Sequence, residues 1–303
     1  MQTVQFPNRT ITMAGHLHLP ADFDETKRHA ALVAIHPGGG VKEQTAGLYA
    51  TKLAERGFVV LSFDASHQGE SGGLPRLLDL PTNRVNDVFA AVDFLTTLAF
   101  VDATRIGVLG VCAGGGFAVK SATLDRRIKA VGTVSAVNVG TATRRGWDGK
   151  GNEADLIATL DAVAAQRTAE AAGAETVFVP YVPQCGDATA PADLQQAADY
   201  YLTPRAQHSR SPNQMLLSGL ADWVSFDAFD RVETFLTRPL LSIAGSEAGS
   251  LWHSVELNAK AAGPKELVIV EGATHMDFYD RPVFVDPAVE KLAAFYAATL
   301  VAA

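Results

Sequence analysis

The residue placement most suggestive of chemistry is a cysteine inside a cluster of glycines, Gly110-Val111-Cys112-Ala113-Gly114-Gly115. The cluster directly follows the apolar run RIGVLGV (105–111) and directly precedes a helical pattern. It therefore has the shape of a nucleophile elbow, G-x-S-x-G, with cysteine in place of serine. Flanking glycines remove the side chains that would clash in so tight a strand-to-helix turn, which lets the central residue hold a strained backbone and project its side chain. A thiol there also sits at a helix N-terminus, whose dipole favours thiolate, so the expectation is a pKa below the ordinary ~8.5. The plainer alternative is a Gly-rich turn around a buried, inert cysteine. A dinucleotide site is disfavoured, because GVLGVCAGGG has no G-x-G-x-x-G in register with the strand end.

A thiolate nucleophile requires a proton shuttle and an oxyanion site. His275, in EGATHMD just past the apolar run KELVIV, is placed for the first role. For the second, HPGGG (36–40) follows the run AALVAI and offers bare backbone N–H groups. The expected donors are the backbone of Ala113 and of Gly38 or Gly39. Among other polar groups, Asp64 reads as a turn former, His36 as a loop anchor, His67 as a weaker pocket residue and Cys185 as a bystander. Trp147, Trp223 and Trp252, with Tyr181, Tyr200 and Tyr201, are candidate pocket walls, although aromatics so spaced are as often plain core. Arg144-Arg145 reads as solvated surface.

The elements that must position these residues alternate. VQF and ITMAGHLHL flank the turn-prone Pro7-Asn8-Arg9 and read as a hairpin. Short apolar runs then recur at 30–35, 58–63, 105–111 and 128–137, separated by helical patterns at about 43–56 and 86–98. That rhythm argues a parallel sheet covered on both faces. It breaks between 140 and 237, where an Ala-rich helical pattern (153–172), VFVPYVP and an aromatic loop intervene. It returns with RPLLSIAG (238–245), KELVIVEGATH (265–275) and a C-terminal helix from about Pro287. The simplest account is one α/β core, 1–139 and 238–303, interrupted by a cap or lid, 140–237, over the carboxyl ends of the strands.

Composition narrows the function. Of 303 residues, 25 are basic and 33 acidic, a net charge of -8 without long single-sign runs, which argues against nucleic acid. An apolar fraction of 48% supports a substantial core. No stretch reaches the ~18 apolar residues of a membrane span, and MQTVQFPNRT lacks the apolar region of a secretory signal, so the expectation is a soluble, cytoplasmic protein with no membrane partner. Two cysteines, Cys112 and Cys185, without a C-x-x-C pair give no disulfide framework and no structural zinc set. No metal or cofactor is expected. The partner expected is a small-molecule acyl substrate, and a homodimer is left open.

IHPGGG, FDASHQGESGG, GVCAGGG and GATH, in this order, resemble the α/β-hydrolase superfamily, and the cysteine elbow resembles its dienelactone-hydrolase-like branch. The resemblance spans the chain apart from 140–237. It implies an α/β-hydrolase fold, a mostly parallel doubly wound sheet with a helical cap insertion, and a Cys-His-acid triad for esters, lactones or thioesters. The family's acid follows the strand that here is PLLSIAG, which makes Glu247 the nearest candidate, with Asp222 and Asp277 as distant ones. Where an Asp would usually stand, a residue or two further on, the chain has Ala248 and Gly249. The function expected is an acyl hydrolase working through an acyl-cysteine. An acyltransferase on the same acyl-enzyme and a catalytically silent ligand binder are the alternatives, and a peptidase ranks below them because sulfur leaves a tetrahedral intermediate more readily than an amide nitrogen.

Overall fold

The computed structural model describes residues 1–301. In chain order its strands are β1 (Gln2–Asn8), β2 (Ile11–His18), β3 (His29–Ile35), β4 (Val59–Phe63), β5 (Val101–Val111), β6 (Ile128–Val134), β7 (Phe178–Val179), β8 (Met215–Leu216), β9 (Leu240–Gly245) and β10 (Lys265–Val270). Eight of them form one sheet in the order β1-β2-β4-β3-β5-β6-β9-β10, antiparallel at β1–β2 and β2–β4 and parallel from β4 onward. β7 and β8 pair separately.

Period-two alternation sorts β3 between two hydrophobic layers. Ala31, Val33 and Ile35 meet the helices Pro81–Thr97 and Ala113–Leu124, while Leu32 and Ala34 meet Thr45–Ala54 and Pro282–Thr299. From β3 the chain goes to β4 on one side and then crosses to β5 on the other. The loops after β3 and β5 thus part at the carboxyl edge of the sheet, where open α/β sheets bind ligands.

Two boundaries differ from expectation. The hairpin turns at Arg9-Thr10, because Asn8 pairs with Ile11 and Pro7 with Thr12. Proline is tolerated there because β1 is an edge strand. The last helix starts at Pro282 and carries Pro287 inside it, since a proline in the first helical position gives up an N–H that has no helical partner anyway.

The loops that frame the carboxyl edge are tied by buried polar groups. Lys42 Nζ donates to Glu43 Oε1 (2.7 Å), Asp64 Oδ2 (2.8 Å) and Glu70 Oε2 (2.7 Å), and neither the Lys42 nor the Asp64 side chain is exposed. Asp64 also accepts from the backbone N–H of Lys42 and of Glu70, each at 2.8 Å, which joins the loop after β3 to the loop after β4. His36 Nε2 accepts from the Ala65 N–H (3.1 Å), so its hydrogen lies on Nδ1 and is donated to the Pro37 carbonyl (2.7 Å). Among the described residues no helix is long and apolar enough to cross a membrane. Lys42→Met should leave Asp64 buried without its cation and destabilise the protein by about 3–5 kcal/mol, read as a lower midpoint in urea unfolding.

Candidate active site

Cys112 joins β5 to the helix Ala113–Leu124 with φ 56° and ψ -123°, a conformation that L-residues seldom adopt. The turn closes only because its neighbours lack side chains. A Cβ on Gly110 would lie 2.0 Å from the Gly114 carbonyl oxygen, and one on Gly114 would lie 2.3 Å from that of Ile35. The strain is held by three hydrogen bonds. The Cys112 N–H donates to Val134 O (3.0 Å), and the Cys112 carbonyl accepts from the N–H groups of Gly115 and Val137, both at 2.9 Å.

The half-buried Cys112 opens onto a cavity of about 270 Å³ whose walls also include Gly38, Ala113, Trp147, Tyr181, Trp223 and His275. The N–H groups of Ala113 and Gly38 both face the sulfur, so of the two glycine alternatives it is Gly38 that stands there. Gly39 instead gives its carbonyl to Ser211 Oγ. The buried His275 follows β10. Its Nδ1 lies 2.6 Å from Ser250 Oγ, its Nε2 lies 3.4 Å from the Tyr279 hydroxyl, and the Trp147 ring meets it edge-on at 4.9 Å. With the hydrogen on Nδ1 and donated to Ser250, Nε2 keeps a lone pair for accepting a proton.

Several expected residues stand elsewhere. Glu247 is exposed after β9, and the group at His275 Nδ1 is Ser250, three residues further along. Asp222 is exposed, and Asp277 accepts from the Thr274 N–H and pairs with Arg281. His67 does not reach the cavity. Its ring is locked in the loop after β4, with Nδ1 2.8 Å from the Pro75 carbonyl. Trp252 stands behind the wall, donating from Nε1 to the Trp147 carbonyl (3.1 Å). Arg144 is an anchor rather than solvated surface, donating to the carbonyls of Val224 (2.6 Å) and Phe226 (2.8 Å).

Sequence reasoning missed three polar groups at the site. Ser250 and Tyr279 carry no motif signal; Tyr279 lies in the short helix Asp277–Asp280 just after His275. Asp193, in the first turn of the helix Ala192–Leu202, comes from the segment between β6 and β9. Its Oδ2 accepts from Trp147 Nε1 (2.9 Å) and from the Gly249 N–H (2.7 Å), and its Oδ1 lies 3.4 Å from the His275 backbone nitrogen.

Burial decides the resting charge of the pair. It pushes the Cys112 thiol up, against the opposing pull of the Tyr279 hydroxyl and of the Ala113 and Gly38 N–H groups. That reverses the low pKa expected from the helix N-terminus. Burial also drives His275 down to about 4, with the Asp193 carboxylate acting the other way. At neutral pH the pair is thus a thiol and a neutral imidazole. Thiolate absorbance near 240 nm, taken as the difference between the wild type and Cys112→Ala, should titrate with a midpoint above ~8.5; a midpoint below it would restore the dipole-led picture.

The chain's relatives agree with this architecture. Residues 13–137 match the model of the Dienelactone hydrolase family. The uncharacterized protein YcjY of Escherichia coli K12 is 46% identical over 97% of this chain and 96% of its own. The crystal structure of hypothetical protein PA2218 from Pseudomonas aeruginosa superposes with a TM-score of 0.91 at 35% identity, covering 98% of this chain and 93% of that one. The thiohydrolase AneE of Aspergillus aculeatus is 33% identical over 52% of this chain and 48% of its own. Elbow, sheet order and sequence similarity together make the chain an α/β hydrolase that belongs to the dienelactone hydrolase family.

Proposed function

We propose that the protein is an acyl hydrolase that works through an acyl-thioester on Cys112, with thioesters and activated esters as its substrates. The observation that carries this reading is the convergence of one sulfur, one imidazole and two backbone N–H groups on a single apolar cavity. His275 Nε2 takes the thiol proton as Sγ attacks the carbonyl carbon. The N–H groups of Ala113 and Gly38 receive the negative oxygen. The imidazolium then gives its proton to the departing alkoxide or thiolate, leaving the acyl group on sulfur. Water attacks next, His275 accepts its proton, and the acid departs as the thiol re-forms.

Beginning from a neutral pair suits this sequence, because Cys112 and His275 bury no charge of their own until the oxyanion has donors waiting for it. The thiohydrolase name of AneE supports the thioester branch. The walls point to the acyl group. Of the residues that line the cavity only Asp193 is a carboxylate and none is Lys or Arg, so a neutral, apolar acyl chain fits and an anionic one lacks a partner. On this reading residues 140–237 act as a cap, since they bring Trp147, Tyr181, Asp193, Tyr201 and Trp223 to the cavity. The two free cysteines fit work in the reducing cytoplasm. The same apolar cover favours a second outcome, interception of the acyl-enzyme by an alcohol or amine in place of water.

Cys112→Ala should abolish acyl release from p-nitrophenyl acetate and from short acyl-thioesters without disturbing the circular dichroism spectrum. Mass spectrometry after mixing the wild type with an acyl-thioester should find the adduct on the Cys112 peptide. An unmodified Cys112, or retained activity in the variant, would leave a ligand binder as the better account. Butyryl thioesters should be turned over at least about tenfold faster than succinyl ones, because the unpaired carboxylate pays its desolvation.

A further inference from the structure

We propose that Asp193 stands in for the acid that the loop after β9 lacks, acting as a positioning residue that sets the charge and orientation of the His275 imidazole from the segment between β6 and β9. This rests on the reading of His275 as the base of the Cys112 reaction. Where a family acid would follow β9, the chain has the exposed Glu247, then Ala248 and Gly249. Ser250 Oγ fills the place beside Nδ1, and a hydroxyl can orient an imidazole but supplies no charge to balance an imidazolium.

Asp193 supplies that charge. It is 5% exposed, it lines the same cavity, and its three partners are all neutral N–H groups. A carboxylate buried among neutral donors is costly unless a positive charge forms nearby, and the imidazolium formed during the reaction is such a charge. Its contacts also fix the ring. One oxygen holds Gly249, the neighbour of Ser250, together with the Trp147 indole that abuts the imidazole. The other oxygen lies by the His275 backbone nitrogen. The other titratable groups near His275 are His253 on the helix Leu251–Lys260, kept neutral at about 3 by burial, Asp277 and Tyr279 on the helix Asp277–Asp280, and Cys112 across the cavity. Of these only Asp277 is a carboxylate, and it is taken up by Arg281 and the Thr274 N–H.

The test compares Asp193→Asn, Asp193→Glu and the wild type by kcat/KM on p-nitrophenyl acetate. The His275 titration is followed by NMR of imidazole 13Cε1, with His275→Asn to assign the resonance. Asp193→Asn should lower kcat/KM roughly 10- to 100-fold, through kcat, as part of the ~10²–10⁴ that acid–base catalysis contributes. It should also move the His275 midpoint below about 4, because a buried imidazole has lost the carboxylate that opposes its burial. Asp193→Glu should recover part of both effects. If Asp193 merely seals the site, its loss admits water and the midpoint rises toward ~6.5; that result, or an unchanged kcat/KM, overturns the proposal. Should wild-type Cys112 never acylate, the hydrolase reading fails instead, while the NMR midpoint still judges the Asp193–His275 coupling on its own.

Discussion

Backbone pressed against backbone at the end of β5 is the constraint on which the site depends. Because Gly110 and Gly114 carry no side chains, the helix Ala113–Leu124 starts in contact with its own turn and with the end of β3. That approach brings the Gly38 N–H, from the loop after β3, beside the sulfur of Cys112, which follows β5. The strained residue between them costs about 1–3 kcal/mol. Three backbone hydrogen bonds at about 0.5–1.5 kcal/mol each are enough to hold it. A larger residue at either glycine would separate the thiol from the N–H groups without altering the Cys112 or His275 side chain itself.

The electrostatics follow from what covers that corner. A helix N-terminus contributes about 0.3–1 kcal/mol, and ~2 at best, whereas one pKa unit corresponds to about 1.4 kcal/mol. Full burial can shift a group by as much as ~3–5 units. The dipole therefore loses, and both Cys112 and His275 rest in their uncharged forms. A neutral thiol is a poor target for oxidants and alkylating agents. On the proposed mechanism the sulfur gains nucleophilic character only as the proton leaves during attack, when a carbonyl carbon is already in place.

Much of the frame was legible in the chain, and the reasons are local. Apolar runs that end in glycines gave β3, β5 and the elbow, because a close backbone approach leaves a mark in residue type. His275 and Gly38 were legible for the same reason, since each lies just past the end of a strand in a loop of small residues. The polar partners were not. Ser250, Asp193 and Tyr279 owe their roles to tertiary approach, and a lone Asp in the first turn of a helix looks like any carboxylate that complements a dipole. Glu247 failed as a choice because position along the chain says nothing of which way a loop side chain turns. His67 failed because its ring was taken up by the carbonyl of Pro75 in its own loop. The pKa direction was missed because the sequence shows the helix start but not the apolar walls from the segment between β6 and β9.

That segment also bears on why an acid could leave its usual loop. Orienting an imidazole and balancing its charge are separable tasks, since the first needs a hydrogen bond at Nδ1 and the second only a negative charge within reach. Here Ser250 meets the first at 2.6 Å. On the proposed reading Asp193 meets the second without touching the ring. A thiol tolerates such a division better than a hydroxyl does, because its proton is far more acidic and the base has less to gain from a directly bonded carboxylate. On that reading a cysteine at the elbow and an acid in the segment between β6 and β9 go together. The residues that bring walls to the cavity would also bring the charge that makes His275 an effective base, so a site left uncovered would be both wet and poorly catalytic.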